Sequence, residues 1–232
     1  NDRYPFYTSS SINMKKHFNQ FAHWIKEKYL QNGSKLIEVG SNDGTLLENF
    51  KNTNIEAVGF EPSITIAELA NKRNIKTLSK FFNTQNLDEI RNFHSSVDVI
   101  CSANVIAHIP DLKDVIKCVD KLLSSKGLLI FEEPYLGSMF SKISYDQIYD
   151  EHIFMFSVNS IKKIFDLFDF ELIDVLPQVT HGGSMRYVIA RRNKHKKSEI
   201  VSKFLDEEQS KKLDTIESCL DFKRACELSK KM

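Results

Sequence analysis

Glu38-Val39-Gly40-Ser41-Asn42-Asp43-Gly44 closes an apolar run, Lys35–Val39, and leads into a helically spaced stretch at 45–51. Two glycines four residues apart at a strand-to-helix turn allow backbone angles closed to other residues and let a ligand approach the main chain. The same strand-then-helix pattern repeats outward from this turn. Residues 56–60, 97–101 and 127–131 are short apolar runs bounded by polar or turn residues, and 62–73, 86–92 and 111–124 carry helical spacing. That alternation predicts βαβ units and a largely parallel sheet buried on both faces. Residues 170–176 and 185–191 are further strands joined by a loop with Pro and Gly. So short a connection predicts an antiparallel pair at the sheet edge.

The flanks differ from this middle. Tyr4-Pro5-Phe6-Tyr7 precedes three serines able to cap a helix, and Phe18, Phe21, Ala22, Ile25 and Tyr29 follow at helical spacing. Beyond residue 194 the chain contains neither Gly nor Pro and is rich in charge, with Ile200, Phe204, Leu213, Ile216, Leu220 and Phe222 scattered through it. The expected organisation is an aromatic segment and helix over 1–33, an α/β domain over 34–193 and a charged helical tail over 194–232. Such a tail packs on a neighbour, leads into a flanking domain or joins an oligomer.

Thirty-two basic against thirty-one acidic side chains leave a net charge of +1, which argues against a nucleic-acid polymer or a membrane surface as partner. No apolar run approaches the ~20 residues that span a bilayer. Cys101, Cys118, Cys219 and Cys226 lack the paired spacing of a metal or redox motif, so free thiols, a cytoplasmic setting and no metal are expected. The chain begins with Asn rather than Met, which suggests a fragment or an unseen leading segment.

The turn also discriminates between ligands. Glu38 lies two positions before Gly40, and Glu61 ends the next strand 21 residues after it. A carboxylate at the second position suits both hydroxyls of a ribose, in a dinucleotide or in any other nucleoside. A dinucleotide, however, needs G-x-G-x-x-G for its pyrophosphate, whereas here the spacing is G-x-x-x-G and Asp43 would repel a phosphate. The sulfonium and ammonium of S-adenosylmethionine suit the surrounding carboxylates better. Candidate contacts are Glu38, Gly40, Ser41, Asn42, Gly44, Glu61, Pro62 and Asn104, with Phe81 and Phe82 placed to stack on adenine. Plainer roles compete: Glu61-Pro62 also reads as a helix start, and adjacent phenylalanines are often core.

Five separated motifs then agree. They are Glu38 to Leu47, Gly59-Phe60-Glu61-Pro62-Ser63, Asn104 to Ile109, Tyr149-Asp150-Glu151-His152 and His181-Gly182-Gly183-Ser184-Met185-Arg186. In this order they resemble the S-adenosylmethionine-dependent sugar C-methyltransferases that act on nucleotide-linked 4-keto sugars, over about residues 4 to 192. The resemblance implies a class I methyltransferase fold, a seven-stranded and mostly parallel sheet of order 3-2-1-4-5-7-6 with an antiparallel edge strand. It also implies a zinc-binding module before the core and a C-terminal domain after it, and neither is visible in the sequence. The family's usual Tyr-His-Glu-His is Tyr-Asp-Glu-His here, with Asp150 in place of the first His.

On the acceptor side, an imidazole is suited to proton abstraction near neutral pH, and a neighbouring acid or phenol can orient it. By resemblance His152 is the general base, with Glu151, Tyr149 and His108 beside it. Tyr4, Tyr7, His181 and Arg186 are expected toward the acceptor, Arg186 as a phosphate contact. A surface turn at 145–156 and a structural turn at 181–183 are the bland alternatives. The expected reaction is methyl transfer to a carbon of a nucleotide-linked keto sugar. Alternatives are O-methylation of a sugar hydroxyl or other small metabolite, and a non-catalytic subunit that only binds S-adenosylmethionine.

Overall fold

A computed structural model describes residues 7–93 and 96–231. Tyr4 lies outside the described residues. Seven strands form one sheet: β1 (Lys35–Val39), β2 (Glu56–Phe60), β3 (Thr77–Leu78), β4 (Val97–Ala103), β5 (Leu123–Pro134), β6 (Phe170–Gln178) and β7 (Ser184–Arg191). Their order is β3-β2-β1-β4-β5-β7-β6, as the resemblance implied. The chain divides into two compact units: residues 1–103 with 111–129, and residues 104–110 with 130–232.

In the first unit, β1 pairs in parallel with β2 and β4, and β2 pairs in parallel with β3. Leu36, Ile37, Val58, Val99 and Ile100 are fully buried, as expected of strands covered on both faces. Helix α1 (Ile12–Tyr29) is capped by Ser11, whose hydroxyl accepts the Met14 N–H, and it buries Phe18, Phe21, Ala22 and Ile25. Helices α2 (Ile64–Lys72), α3 (Leu87–Phe93) and α4 (Leu112–Leu122) complete the unit, and α4 buries a stripe of Val115, Ile116, Val119 and Leu122.

Two expectations need correction here. The stretch 45–51 is not an α-helix but a short 3-10 turn, Leu47–Phe50. The Asn49 side-chain amide donates to the carbonyls of Thr45 (3.1 Å) and Leu46 (2.9 Å), competing for acceptors that a continuing α-helix would use. The strand expected at 127–131 already begins at Leu123, because the chain turns extended straight after α4.

In the second unit, β6 and β7 pair antiparallel from Phe170↔Arg191 to Gln178↔Ser184, with a bulge between Leu172 and Asp174. Helices α5 (Leu136–Lys142) and α6 (Val158–Asp166) were not foreseen. The α6 signal was present: Ser157 and Ser160 form a reciprocal capping box, and Val158, Ile161 and Phe165 recur on one buried face. Phe131, Phe165, Phe170 and Tyr187 form an aromatic core.

The tail is two helices, α7 (Glu199–Ser210) and α8 (Ile216–Ser229). Lys212 adopts left-handed angles between them, with its N–H on the Gln209 carbonyl and the Leu213 N–H on that of Glu208. This is a Schellman stop made without glycine, and the Leu213 side chain is buried in it. Among the described residues, no helix is long and apolar enough to cross a membrane.

Candidate active site

The glycine turn sits at the carboxyl end of β1. Gly40 (φ +68°) and Gly44 (φ +78°) both use left-handed backbone, and a Cβ on Gly44 would lie 2.8 Å from Ile75. The N–H groups of Gly40 and Ser41 bond to the Phe60 carbonyl at the end of β2. Glu61 braces the turn from the next residue, accepting the N–H of Asn42 (3.0 Å) through Oε2 and that of Ser63 (2.9 Å) through Oε1. Burial raises the Glu61 carboxyl, and those two bonds oppose the rise.

Three acids gather at this turn. Glu38 is pushed well above the carboxylate range by burial first, then by Asp43 and Glu61. Its Oε2 and the Ser41 hydroxyl are buried without a hydrogen-bond partner among the described residues. Asp43 accepts the Thr45 hydroxyl (2.6 Å) and the Ser9 N–H (3.0 Å), while the Asn42 Oδ1 accepts the Thr8 N–H. A cationic ligand with hydroxyls would satisfy these groups, whereas a phosphate would be repelled. The residues therefore fit S-adenosylmethionine.

The Thr8–Ser10 turn is thus tied to the glycine turn, a link between distant segments that the sequence did not reveal. It leaves Tyr7, expected toward the acceptor, at the N-terminal end of this short turn in the first unit. Pro62 is exposed, and α2 starts two residues later with Ser63 at its N-cap. The two phenylalanines separate: Phe82 is 5% exposed and packs edge-on against Phe60 at 5.6 Å, whereas Phe81 is 66% exposed. Phe82 is therefore core rather than a stacking surface, because β2 and its own burial claim the ring.

The other residues expected on the acceptor side belong to the second unit. Nδ1 of His152 lies 2.8 Å from the Gln147 carbonyl, and Nε2 lies 3.0 Å from the Tyr149 hydroxyl. A carbonyl only accepts, so Nδ1 carries the hydrogen and Nε2 presents its lone pair. The His108 ring is 4.9 Å from that of His152, with Tyr149 beside both. Burial lowers the His108 imidazole, and proximity to His152 lowers it further; the charge and carbonyl of Glu151 act in the opposite sense. The Tyr149 phenol is raised by burial, with Glu151 and Glu133 adding to the effect.

His108 ends a 3-10 turn, Ile106–His108, whose Ala107 carbonyl accepts the N–H groups of Ile153 (2.9 Å) and Phe154 (3.3 Å). Asn104 precedes it with left-handed backbone (φ +58°), its N–H on the Glu132 carbonyl and its Oδ1 buried without a partner among the described residues.

Arg186 departs from expectation. It is buried, and its Nε and Nη2 both bind Glu132 Oε1 (2.7 and 2.6 Å), so this guanidinium braces β7 rather than facing a phosphate. His181 is exposed with left-handed backbone (φ +50°), and Gly183 then packs closely on Ser138 of α5. Glu132 and Glu133 were missed by sequence reasoning. Their signal was two acids ending the apolar run of β5, where an unpaired charge would be costly.

With this geometry in hand, comparisons with known proteins are specific. A family model described as a methyltransferase domain matches residues 14–175, and one described as a C-methyltransferase C-terminal domain matches residues 179–232. The second match corrects the expectation that no part of a C-terminal module is visible. The chain is 30% identical over 209 residues to the C-methyltransferase NovU of Streptomyces niveus, covering 89% of this chain and 50% of that protein. It therefore spans about half the length of that curated relative.

Two solved structures share the fold at 12% identity. An S-adenosylmethionine-dependent methyltransferase from Clostridium acetobutylicum matches with a TM-score of 0.60, over 77% of this chain and 92% of its own. Magnesium protoporphyrin IX methyltransferase from Synechocystis, solved with bound S-adenosylhomocysteine, matches with a TM-score of 0.59, over 78% and 84%.

Proposed function

From the premise that this chain belongs to the methyltransferase-domain family, with S-adenosylmethionine as its cofactor, we propose that it methylates a carbon of a nucleotide-linked keto sugar in the cytoplasm. The observation that carries this reading is the oriented lone pair of His152, with a phenol and a second imidazole beside it. An O-methyltransferase also uses a base, but a ketone α-carbon additionally needs donors for the enolate oxygen. Tyr149 supplies one through its hydroxyl, and the His108 imidazole lies beside it. The NovU relative supports carbon as the acceptor atom.

S-adenosylmethionine, when bound, supplies a methyl group on a positively charged sulfur. The carboxylates of Glu38 and Glu61 suit its ammonium and ribose, and the Gly40 to Gly44 turn lets it lie against the main chain. On the acceptor, Nε2 of His152 takes the α-proton, and the Tyr149 hydroxyl moves from Nε2 to the developing enolate oxygen. A raised phenol stays protonated and remains a donor. Once His152 is protonated, its charge disfavours a second proton on His108, which keeps that imidazole neutral. The residues' remaining contribution is to orient the resulting carbanion and exclude water. Glu38, Glu61 and the Gly40 to Gly44 turn would hold the cofactor that supplies the methyl group.

The test is hydrogen exchange at carbon. A dTDP-linked 4-keto sugar is incubated with the protein in D₂O and S-adenosylhomocysteine, so that no methyl group is available. Deuterium should enter the α-position with the wild type and not with His152→Asn. Methylation of a hydroxyl without any α-exchange would replace this reading with O-methylation. S-adenosylmethionine binding without turnover on any sugar would point to a non-catalytic subunit.

A further inference from the structure

Glu133 is fully buried at the carboxyl end of β5, and the mechanism above does not use it. Its Oε1 accepts the N–H groups of Val105 (2.9 Å) and Ile106 (2.6 Å), and the Ala107 N–H also bonds to this carboxylate. These are the donors left without an intrahelical partner at the start of the Ile106–His108 turn, and Val105, its N-cap, provides no side-chain cap of its own. Glu133 caps the turn from 27 residues away in sequence.

The same turn holds both imidazoles. His108 is its last residue, and its Ala107 carbonyl receives Ile153 and Phe154, the two residues that follow His152. Hydrogen bonds thus run from Glu133 through the turn to Ile153 and Phe154, the residues that directly follow the base. The other oxygen, Oε2, is buried and has no hydrogen-bond partner among the described residues. A leucine would fill this position without such a cost, since a buried carboxylate left half satisfied destabilises a core. Burial accordingly pushes the Glu133 carboxyl up to about 8, against the pull of the three N–H groups.

We propose that Glu133 is a positioning residue for proton abstraction, fastening through one backbone turn the spacing and orientation of His108 and His152. This rests on the reading of His152 as the base. Glu133 acts through the turn and does not touch the acceptor.

Two variants separate position from fold. Glu133→Gln keeps an oxygen for the turn, whereas Glu133→Leu removes every acceptor at similar size. Backbone amide exchange is followed residue by residue, together with S-adenosylmethionine titration and the α-deuterium assay. In Glu133→Leu the amides of residues 105–107, 153 and 154 should lose at least tenfold in protection while β1, β2 and α1 keep theirs. The α-exchange rate should fall at least tenfold at saturating sugar with S-adenosylmethionine affinity unchanged. Glu133→Gln should recover the amide protection and most of that rate.

Wild-type protection and rate in Glu133→Leu would overturn the proposal. Should Glu133→Leu not fold, Glu133→Gln decides: wild-type protection at 105–107 supports the capping role, and its loss overturns it. The amide measurement needs no acceptor. A wrong sugar therefore silences the deuterium assay in the wild type, and a wrong base shows as exchange that survives His152→Asn, while both leave the amide test of Glu133 intact.

Discussion

The glycine turn of the first unit and the 145–156 segment of the second are both short irregular pieces, yet they are held differently. At the turn, the shape is set first by the residues themselves and the adjoining strand, with positive φ at Gly40 and Gly44 and Glu61 reaching the Asn42 and Ser63 amides. The Thr8–Ser10 turn adds bonds to Asn42 and Asp43. The acceptor-side segment has an exposed Tyr149 and Ile153 and no regular element beyond the short turn Tyr145–Gln147. Within it His152 bonds to Gln147 and Tyr149, but residues 153 and 154 are held by a distant anchor, the Ala107 carbonyl and, behind it, Glu133. A region whose geometry is stored locally tolerates change elsewhere. One assembled from distant anchors fails when a residue far from it is altered.

The sharpest break in that comparison is His152→Asn. It should lower turnover by roughly 10²–10⁴-fold, the scale of acid–base catalysis, and leave S-adenosylmethionine affinity as in the wild type. Steady-state kinetics with parallel calorimetry checks both halves. Equal losses in turnover and cofactor affinity would mean that the two regions are not energetically separate.

The next effect concerns stability and pH. A carboxyl raised to about 8 in the folded state binds a proton that the unfolded chain has already released above pH ~4.3. Stability from this group is fully present at low pH and falls as pH rises toward 8, by at most about 1.4 kcal/mol per unit. Urea unfolding of wild type and Glu133→Gln at pH 5 and pH 8 isolates it. The variant should gain on the wild type by a few kcal/mol across that interval, and parallel curves would refute the assignment.

Glu61→Ala sharpens the donor side. Loss of its carboxylate should weaken S-adenosylmethionine binding by about 1.5–3 kcal/mol, because ribose hydroxyls are then desolvated without an acceptor. The acceptor-side amides at 105–107 should not respond. Unchanged affinity would place the ribose elsewhere.

The smallest effect, at Phe81, sets that residue apart from its neighbour. Phe81→Ala should change thermal stability by no more than about 0.5 kcal/mol, as for other exposed sites, while Phe82→Ala should cost about 3–5 kcal/mol. If Phe81 carries adenine stacking, its variant alone will weaken S-adenosylmethionine binding at nearly constant melting temperature.

What the sequence determined by itself is what short-range chemistry can encode. Apolar runs at strand length, alternating with helical spacing, were enough for the α/β class and the antiparallel β6–β7 pair. Two glycines and two acids marked the turn that suits a cationic nucleoside, and the full strand order came with the family resemblance. Side-chain competition escaped this reading, as at Asn49, which shortens the expected helix by occupying its carbonyls. So did the glycine-free stop at Lys212, since a left-handed lysine leaves no compositional mark.

Tertiary structure alone decided the partners of buried polar groups. Arg186 reads as a phosphate contact until Glu132 is found against it, and Glu133 reads as one more acid until three amides of a distant turn converge on it. A buried charge takes its role from whatever satisfies it, and in this fold those groups lie tens of residues away.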